Sequence, residues 1–226
     1  MFHRSSTRHG PAGWERAYVP RCPSNSDSRR GPSPTVDVRD LAWEDFEGWV
    51  GLYYSRYEEV RTNPELGVYT FESKPTLGEE AELFGKVWKD VLAGDLVVSV
   101  GDEGGRIVGI CSVYRAGRHR EDRHAGILAI AVHPDWRGRG VGSRLIPHAL
   151  KKCEGKFELV RLTVTEVNLP ARALYRKCGF VESGRLPRAF KRNDAYFDDI
   201  VMWRPVGEPG RPTSSAAVGD GTMSEG

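Results

Sequence analysis

The run Gly126-Ile127-Leu128-Ala129-Ile130-Ala131-Val132-His133-Pro134-Asp135-Trp136-Arg137-Gly138-Arg139-Gly140-Val141-Gly142 decides how this chain folds. Its first seven residues are apolar and rich in branched side chains, which predicts a buried strand. Its last six place three glycines between that strand and a helix expected to end near Cys153. Glycines so packed expose a row of backbone N–H groups beside the positive end of the helix dipole, and that is an anion cradle. A glycine-rich turn can also do no more than join a strand to a helix, so the pattern alone leaves both readings open.

Outward from this point the chain alternates strands and helices. Upstream, Leu96–Gly101 and Ile107–Tyr114 are valine- and isoleucine-rich runs around Asp102-Glu103-Gly104-Gly105, which predicts an antiparallel hairpin. Val36 and Val38 open a short strand, and Leu41, Phe46, Trp49, Val50 and Tyr53 then recur at helical spacing. A second helix is expected over Glu79–Leu92, with Gly94 just beyond its end; the segment from Tyr53 to Gly78 carries no clear pattern. Downstream, Val160–Val164 reads as a strand, Pro170–Lys177 as a helix, and Phe180-Val181 and Tyr196–Trp203 as two more strands. Pro147 falls inside the helix after the glycines and is expected to kink or weaken it.

A chain of 226 residues, 39% hydrophobic and 28% charged, can bury one sizeable core. Residues 1–34 and 207–226, rich in Gly, Pro, Ser and Thr, are expected to be disordered tails around a single domain at 35–206. No stretch approaches the roughly 18 apolar residues of a membrane span, so a soluble, cytoplasmic protein without a membrane partner is expected. The net charge of +2 hides a basic N-terminal tail and an acidic C-terminal one around a domain with 26 basic and 26 acidic residues. A domain without a basic stripe argues against nucleic acid and for a small-molecule amine or a peptide as partner. Cys22, Cys111, Cys153 and Cys178 form no CxxC pair and no ligand spacing with His, so reduced thiols and no metal are expected.

The glycine run does not fit a dinucleotide fingerprint, since it follows GxGxG and Glu158 precedes the next strand rather than ending it. It lacks the Gly-Lys-Ser or Gly-Lys-Thr of a nucleotide P-loop. Arg137, Gly140 and Gly142, preceded by Ile130-Ala131-Val132-His133-Pro134, resemble instead the acetyl-CoA signature of the GNAT superfamily of N-acetyltransferases. The resemblance implies an α/β (α+β) fold: a mixed, mostly antiparallel sheet of six to seven strands, splayed at the acetyl-CoA site and flanked by about four helices. It implies that Ile130, Ala131 and Val132 border the pantetheine arm and that residues 137–143, Arg137, Gly138, Arg139, Gly140, Val141, Gly142 and Ser143, hold the pyrophosphate. Arg137 and Arg139 are then charge complements to phosphate, or else solvated surface charges.

A second run, Asn168-Leu169-Pro170-Ala171-Arg172-Ala173-Leu174-Tyr175-Arg176-Lys177-Cys178-Gly179-Phe180, reads locally as a compact helix with Pro in its first turn and Gly as its stop. Ala171, Leu174, Tyr175 and Cys178 share one face, on which Tyr175 is ordinary core. The same run resembles the second GNAT signature, 26 residues beyond Gly142. The resemblance spans about residues 35–206 and implies that Asn168 contacts the CoA arm and that Tyr175 protonates the leaving thiolate. A tyrosine with a pKa of about 10 stays protonated at neutral pH and can do so. Transfer would be direct, with a backbone N–H such as that of Val132 polarising the thioester oxygen and no cysteine acyl-enzyme.

Many GNAT members carry a glutamate on the strand before the phosphate loop, whereas Gly126–Val132 contains no acid. A lysine amine, pKa about 10.4, needs help to lose its proton, and an α-amine near about 7.7–8.0 needs less, so α-amine acceptors are favoured. Glu166, Asp122 and His124 are candidates for relaying a proton and equally for plain surface charges. Tyr54 and Tyr69, among the aromatics between Tyr53 and Phe71, lie where GNAT members wall the acceptor pocket, and also read as core. The block Gly184–Arg192 with Tyr196–Met202 resembles GNAT members acting on amino acids and small amines, and Arg188, Lys191 or Arg192 could bind a carboxylate there or sit as exposed turn charges. A protein N-terminus or a lysine is the alternative acceptor; a silent acyl-CoA-binding module is the alternative from another class, and a homodimer is compatible with either.

Overall fold

The computed structural model describes residues 35–63, 68 and 72–207. Seven strands form one sheet in the order β1-β2-β3-β4-β5-β7-β6. In chain order they are β1 Asp37–Asp40, β2 Leu96–Glu103, β3 Arg106–Arg115, β4 Ala125–Val132, β5 Leu159–Thr165, β6 Val181–Arg192 and β7 Ala195–Pro205. The helices are α1 Phe46–Thr62, α2 Leu77–Leu92, α3 Val141–Cys153 and α4 Leu169–Lys177. Every neighbouring pair is antiparallel except β4 and β5. The sheet is therefore mixed and mostly antiparallel, with seven strands and four helices, as the resemblance implies.

Strand alternation sorts the core into two layers. Val97, Val108, Cys111, Val113 and Leu128 pack on one face with α3, Tyr175 and Phe180. Val98, Val100, Ile107, Ile110 and Ala131 pack on the other with Trp49, Leu52 and Phe84 of α1 and α2. Successive side chains of a strand leave its opposite faces, so β2 and β3, buried on both, read as near-continuous apolar runs.

Two local readings are corrected. The unpatterned segment after Tyr53 holds the rest of α1 and the start of α2, whose N-terminus is a capping box: the Thr76 hydroxyl accepts from the Glu79 amide at 3.2 Å and the Thr76 amide donates to Glu79 Oε2 at 2.7 Å. Strand β6 is also far longer than Phe180-Val181. It is an edge strand, exposed along most of its length and irregular in register at Glu182/Gly184 and Leu186/Phe190, so it shows neither alternation nor an apolar run. Such an edge tolerates Pro187. Asn193 and Asp194, both at positive φ, close the β6–β7 hairpin in two residues. Helix α3 runs through Pro147 without interruption.

Candidate active site

The site begins where the sheet comes apart. β4 and β5 pair only at Ala125 with Leu159, Gly126 with Val160 and Ile127 with Arg161. β4 nevertheless continues to Val132 against β3, and β5 to Thr165 against β7. The His133 amide donates to the Val108 carbonyl on β3 at 2.9 Å. Backbone groups alternate sides along a strand, so the odd residues of β4 face β3, while Leu128, Ile130 and Val132 direct N–H and C=O into the split. Ala131 is not part of that edge: its backbone faces β3 and its side chain is buried toward α1 and α2, which corrects its expected place beside Ile130 and Val132.

At the open end of β4, a short 3₁₀ turn, Pro134–Trp136, leads into the glycine loop. Gly138 and Gly140 have φ of +70° and +78°, a region that L side chains adopt only at a cost, and Gly140 is the N-cap of α3. The loop thus turns sharply enough to leave the N–H groups of Val141, Gly142 and Ser143, which have no intrahelical acceptor, at its mouth. A Cβ on Gly142 would lie 2.7 Å from Leu174 Cδ2, so the third glycine lets α3 and α4 approach closely. Arg139 lies over the Trp136 ring at 5.0 Å. Arg137 turns away from the loop: its guanidinium forms a two-pronged ion pair with Glu59 of α1, with Nη2 2.6 Å from Oε2, and its Nε donates to the Val132 carbonyl at 3.2 Å. Arg137 therefore braces α1 against the edge of the split.

A strand edge that beyond Ile127 pairs with no other strand among the described residues, and an N–H cradle at a helix N-terminus, fit an extended arm carrying a pyrophosphate, and the residues present thus fit acetyl-CoA. Tyr175 is buried between α3 and the sheet, its ring 5.9 Å from Phe180. Burial pushes its phenol well above the ordinary tyrosine range; Cys111 and Cys178 add to this and Arg56 of α1 opposes it. Its hydroxyl has no hydrogen-bond partner among the described residues. Cys111 and Cys153 are free and buried, and burial pushes the Cys153 thiol up to about 12 and Cys111 higher still. Thiols so protonated are poor nucleophiles. Cys22 lies outside the described residues.

The remaining candidates fall in different places. Asn168 is the N-cap of α4, its Oδ1 accepting from the Ala171 amide at 3.3 Å. Glu166 is held at the end of β5 by an ion pair with Arg185 and by the Asp198 amide, 3.1 Å from Oε1. Asp122 and His124 precede β4 at the closed end of the split, where the His124 carbonyl takes the Glu158 amide at 2.7 Å. Eight residues of extended chain put His124 roughly 26 Å from Val132, out of reach of the open end. The Tyr54 hydroxyl donates to the Pro75 carbonyl at 2.9 Å, which fastens α1 to the entry of α2; Tyr69 and Phe71 lie outside the described residues. Arg188 lies over Tyr196 at 4.1 Å, Lys191 pairs with Asp194 at 3.2 Å, and Arg192 donates to the Val68 carbonyl at 2.8 Å. That last bond runs from the β6–β7 hairpin to the segment after α1.

Two residues near the site were missed in the sequence, Arg56 and Glu59. The signal was present: continuing the stripe of Trp49 and Tyr53 along α1 reaches Arg56, Glu59 and Val60. Charges on an inward stripe ask for a reason.

Residues 36–180 match the model of the Acetyltransferase (GNAT) family. This chain belongs to the GNAT family. The GNAT chain is 35% identical over 106 residues to the N-alpha-acetyltransferase RimI of Mycobacterium tuberculosis, an overlap that covers 47% of this chain and 64% of that one. It is 31% identical over 102 residues to the L-amino acid N-acetyltransferase AaaT of Escherichia coli, covering 44% and 62%. The chain thus spans less than two thirds of the length of either relative. In fold it is similar to the crystal structure of a GNAT superfamily phosphinothricin acetyltransferase from Sinorhizobium meliloti in complex with AcCoA, with a TM-score of 0.66 at 22% identity over 84% of this chain and 98% of that one.

Proposed function

We propose that this GNAT chain is an acetyl-CoA-dependent N-acetyltransferase that moves acetyl directly to the α-amine of an amino acid or a related small amine. The observation that supports the reading is a buried tyrosine kept protonated, Tyr175, in the same packed cluster as Ile130 and Val132 of the β4 edge and Val141 after the glycine cradle. Acetyl-CoA, when bound, supplies an acyl carbon activated as a thioester. The N–H groups of residues 138–143 hold the pyrophosphate, with Arg139 as the nearby cation, and Ile130 and Asn168 border the arm. The Val132 N–H polarises the thioester oxygen. As the acceptor nitrogen bonds to the acyl carbon and the C–S bond breaks, Tyr175 gives its proton to sulfur; the proton lost by the amine returns to the phenolate through water.

Two features support a small α-amine. β4 carries no acid and Glu166 is tied into an ion pair, so the acceptor has to arrive already neutral. One of the relatives acts, by its name, on L-amino acids. A protein N-terminus is the second reading, favoured by the 35% identity to an N-alpha-acetyltransferase.

The test is thiol release from acetyl-CoA against free amino acids, polyamines, aminoglycosides and short peptides, with Tyr175→Phe in parallel. The expected result is turnover of amino acids and a loss of about 10²–10³ in kcat in the variant, with acetyl-CoA affinity within about twofold. Turnover of peptides alone would move the acceptor to a protein N-terminus. Acetyl-CoA binding without turnover of any acceptor would make the chain a silent acyl-CoA-binding module.

A further inference from the structure

Among the described residues Arg56 is a cation without an anion: it forms no ion pair and no hydrogen bond, and its closest ring neighbour is Tyr53, with the guanidinium carbon 5.8 Å from the ring centroid. It is not a solvated surface charge either, because it occupies the inward stripe of α1 between Trp49 and Tyr53 on one side and Val60 on the other, and is itself only partly exposed. The one acid a turn away, Glu59, is taken on both oxygens by Arg137. Burying a guanidinium without a partner is unfavourable, and here burial weakens its hold on its proton.

Its position says what kind of partner is missing. α1 packs on one face of the sheet, while Tyr175 belongs to the cluster on the other face. The next turn of α1 nevertheless reaches the open edge of β4, because Glu59 is paired with Arg137, whose Nε donates to the Val132 carbonyl at 3.2 Å. A continuous sheet would stand between the two layers, and the split between β4 and β5 is where this one opens. Arg56 therefore overlooks the split from the face opposite α3 and its glycine cradle. Its role is separate from the cradle.

Taking the proposed transfer to an amino acid as the starting point, we infer that Arg56 is the acceptor anchor: its guanidinium receives the α-carboxylate of an amino acid, or an equivalent acidic group close to the amine, and so aims the neutral amine at the acyl carbon beside Tyr175. A planar guanidinium takes a carboxylate through two parallel N–H···O bonds, which fixes the acceptor's orientation as well as its position. The arginines of the β6–β7 hairpin are less suited, since Arg192 is bonded to Val68 and Arg188 is stacked on Tyr196.

The test uses the full chain and the amino acid it turns over best, paired with that amino acid's amide and with the amine lacking the carboxylate. In wild type the acid should exceed both analogues in kcat/KM. Arg56→Gln should raise KM for the acid about 10- to 100-fold, leave kcat and the acetyl-CoA KM within about threefold, and leave both analogues unchanged; Arg56→Lys should recover part of the loss. Equal losses on acid and amide, or a raised acetyl-CoA KM, would overturn the anchor while leaving acetyl transfer to amino acids standing. Wild-type turnover of peptides or polyamines and of no free amino acid would overturn the acceptor reading, and the anchor with it. A thermal midpoint and an acetyl-CoA affinity matching wild type establish that Arg56→Gln is folded.

Discussion

At the scale of single residues, Tyr175 sets the pH behaviour. Burial raises its pKa, so the phenol is protonated throughout any ordinary assay range and cannot produce a falling limb below about pH 10. The rise of kcat/KM with pH should follow the acceptor's own amine, its midpoint moving as acceptors of different amine pKa are exchanged; a midpoint fixed across acceptors would point to a group of the protein acting as base. The same shift bears on stability. A tyrosine whose folded pKa lies above its unfolded value contributes fully below about pH 10 and loses that contribution as pH rises through the folded pKa. Gly140 works at this scale too, because its positive φ shapes the cradle before any ligand arrives.

At the scale of elements, the α1–α2 pair is held by a shared apolar layer, in which Phe84 meets the rings of Phe46 and Trp49, and by a few polar bonds. Trp49 Nε1 donates to the buried Glu80 at 3.2 Å, and α2 starts on the reciprocal bonds of Thr76 and Glu79. Thr76→Ala removes the hydroxyl that accepts from the Glu79 amide, and the expected cost is about 1 kcal/mol, or a fall of about 2–4 °C in thermal midpoint. Catalytic constants should change little, because the cap lies on the N-terminal turn of α2 and not on the inward stripe of α1. A scanning calorimetry trace beside an activity assay checks both. The β6–β7 hairpin is the opposite kind of element: its register is irregular and its outer strand exposed, and the two-residue turn at Asn193-Asp194 fixes how its strands meet.

At the scale of the whole molecule, the first strand is locked to the sheet and to α1 by Arg39, which bonds both Asp45 oxygens at 2.8 and 2.7 Å and reaches Asp102 Oδ2 from Nε at 3.0 Å. Asp45 also accepts the Ala42 amide at 2.7 Å. Burial by itself would raise the Asp45 pKa, but the bonds from Arg39 and Ala42 outweigh it and hold the carboxyl below its usual value. A depressed folded pKa means a contribution present above about pH 4 and lost as pH falls through the folded value. Asp45→Asn is expected to cost about 1.5–3 kcal/mol at pH 7 and progressively less toward pH 3, read from urea midpoints across that range. An equal cost at both pH values would mean that the carboxylate charge is not what matters. What the sequence determined by itself was local: the strand and glycine loop from Gly126 to Gly142, the α4 run with Tyr175, and the two signatures at their spacing, because cradle and cap are made by neighbours along the chain. What the tertiary structure decided was everything that depends on elements meeting. The three-pair junction of β4 and β5, the removal of Arg137 to Glu59 and the tying of Glu166 to Arg185 all arise between segments far apart in sequence. The edge strand β6 escaped the sequence for a related reason: a strand that buries neither face has no hydrophobic period to read, and only pairing with β7 gives it shape.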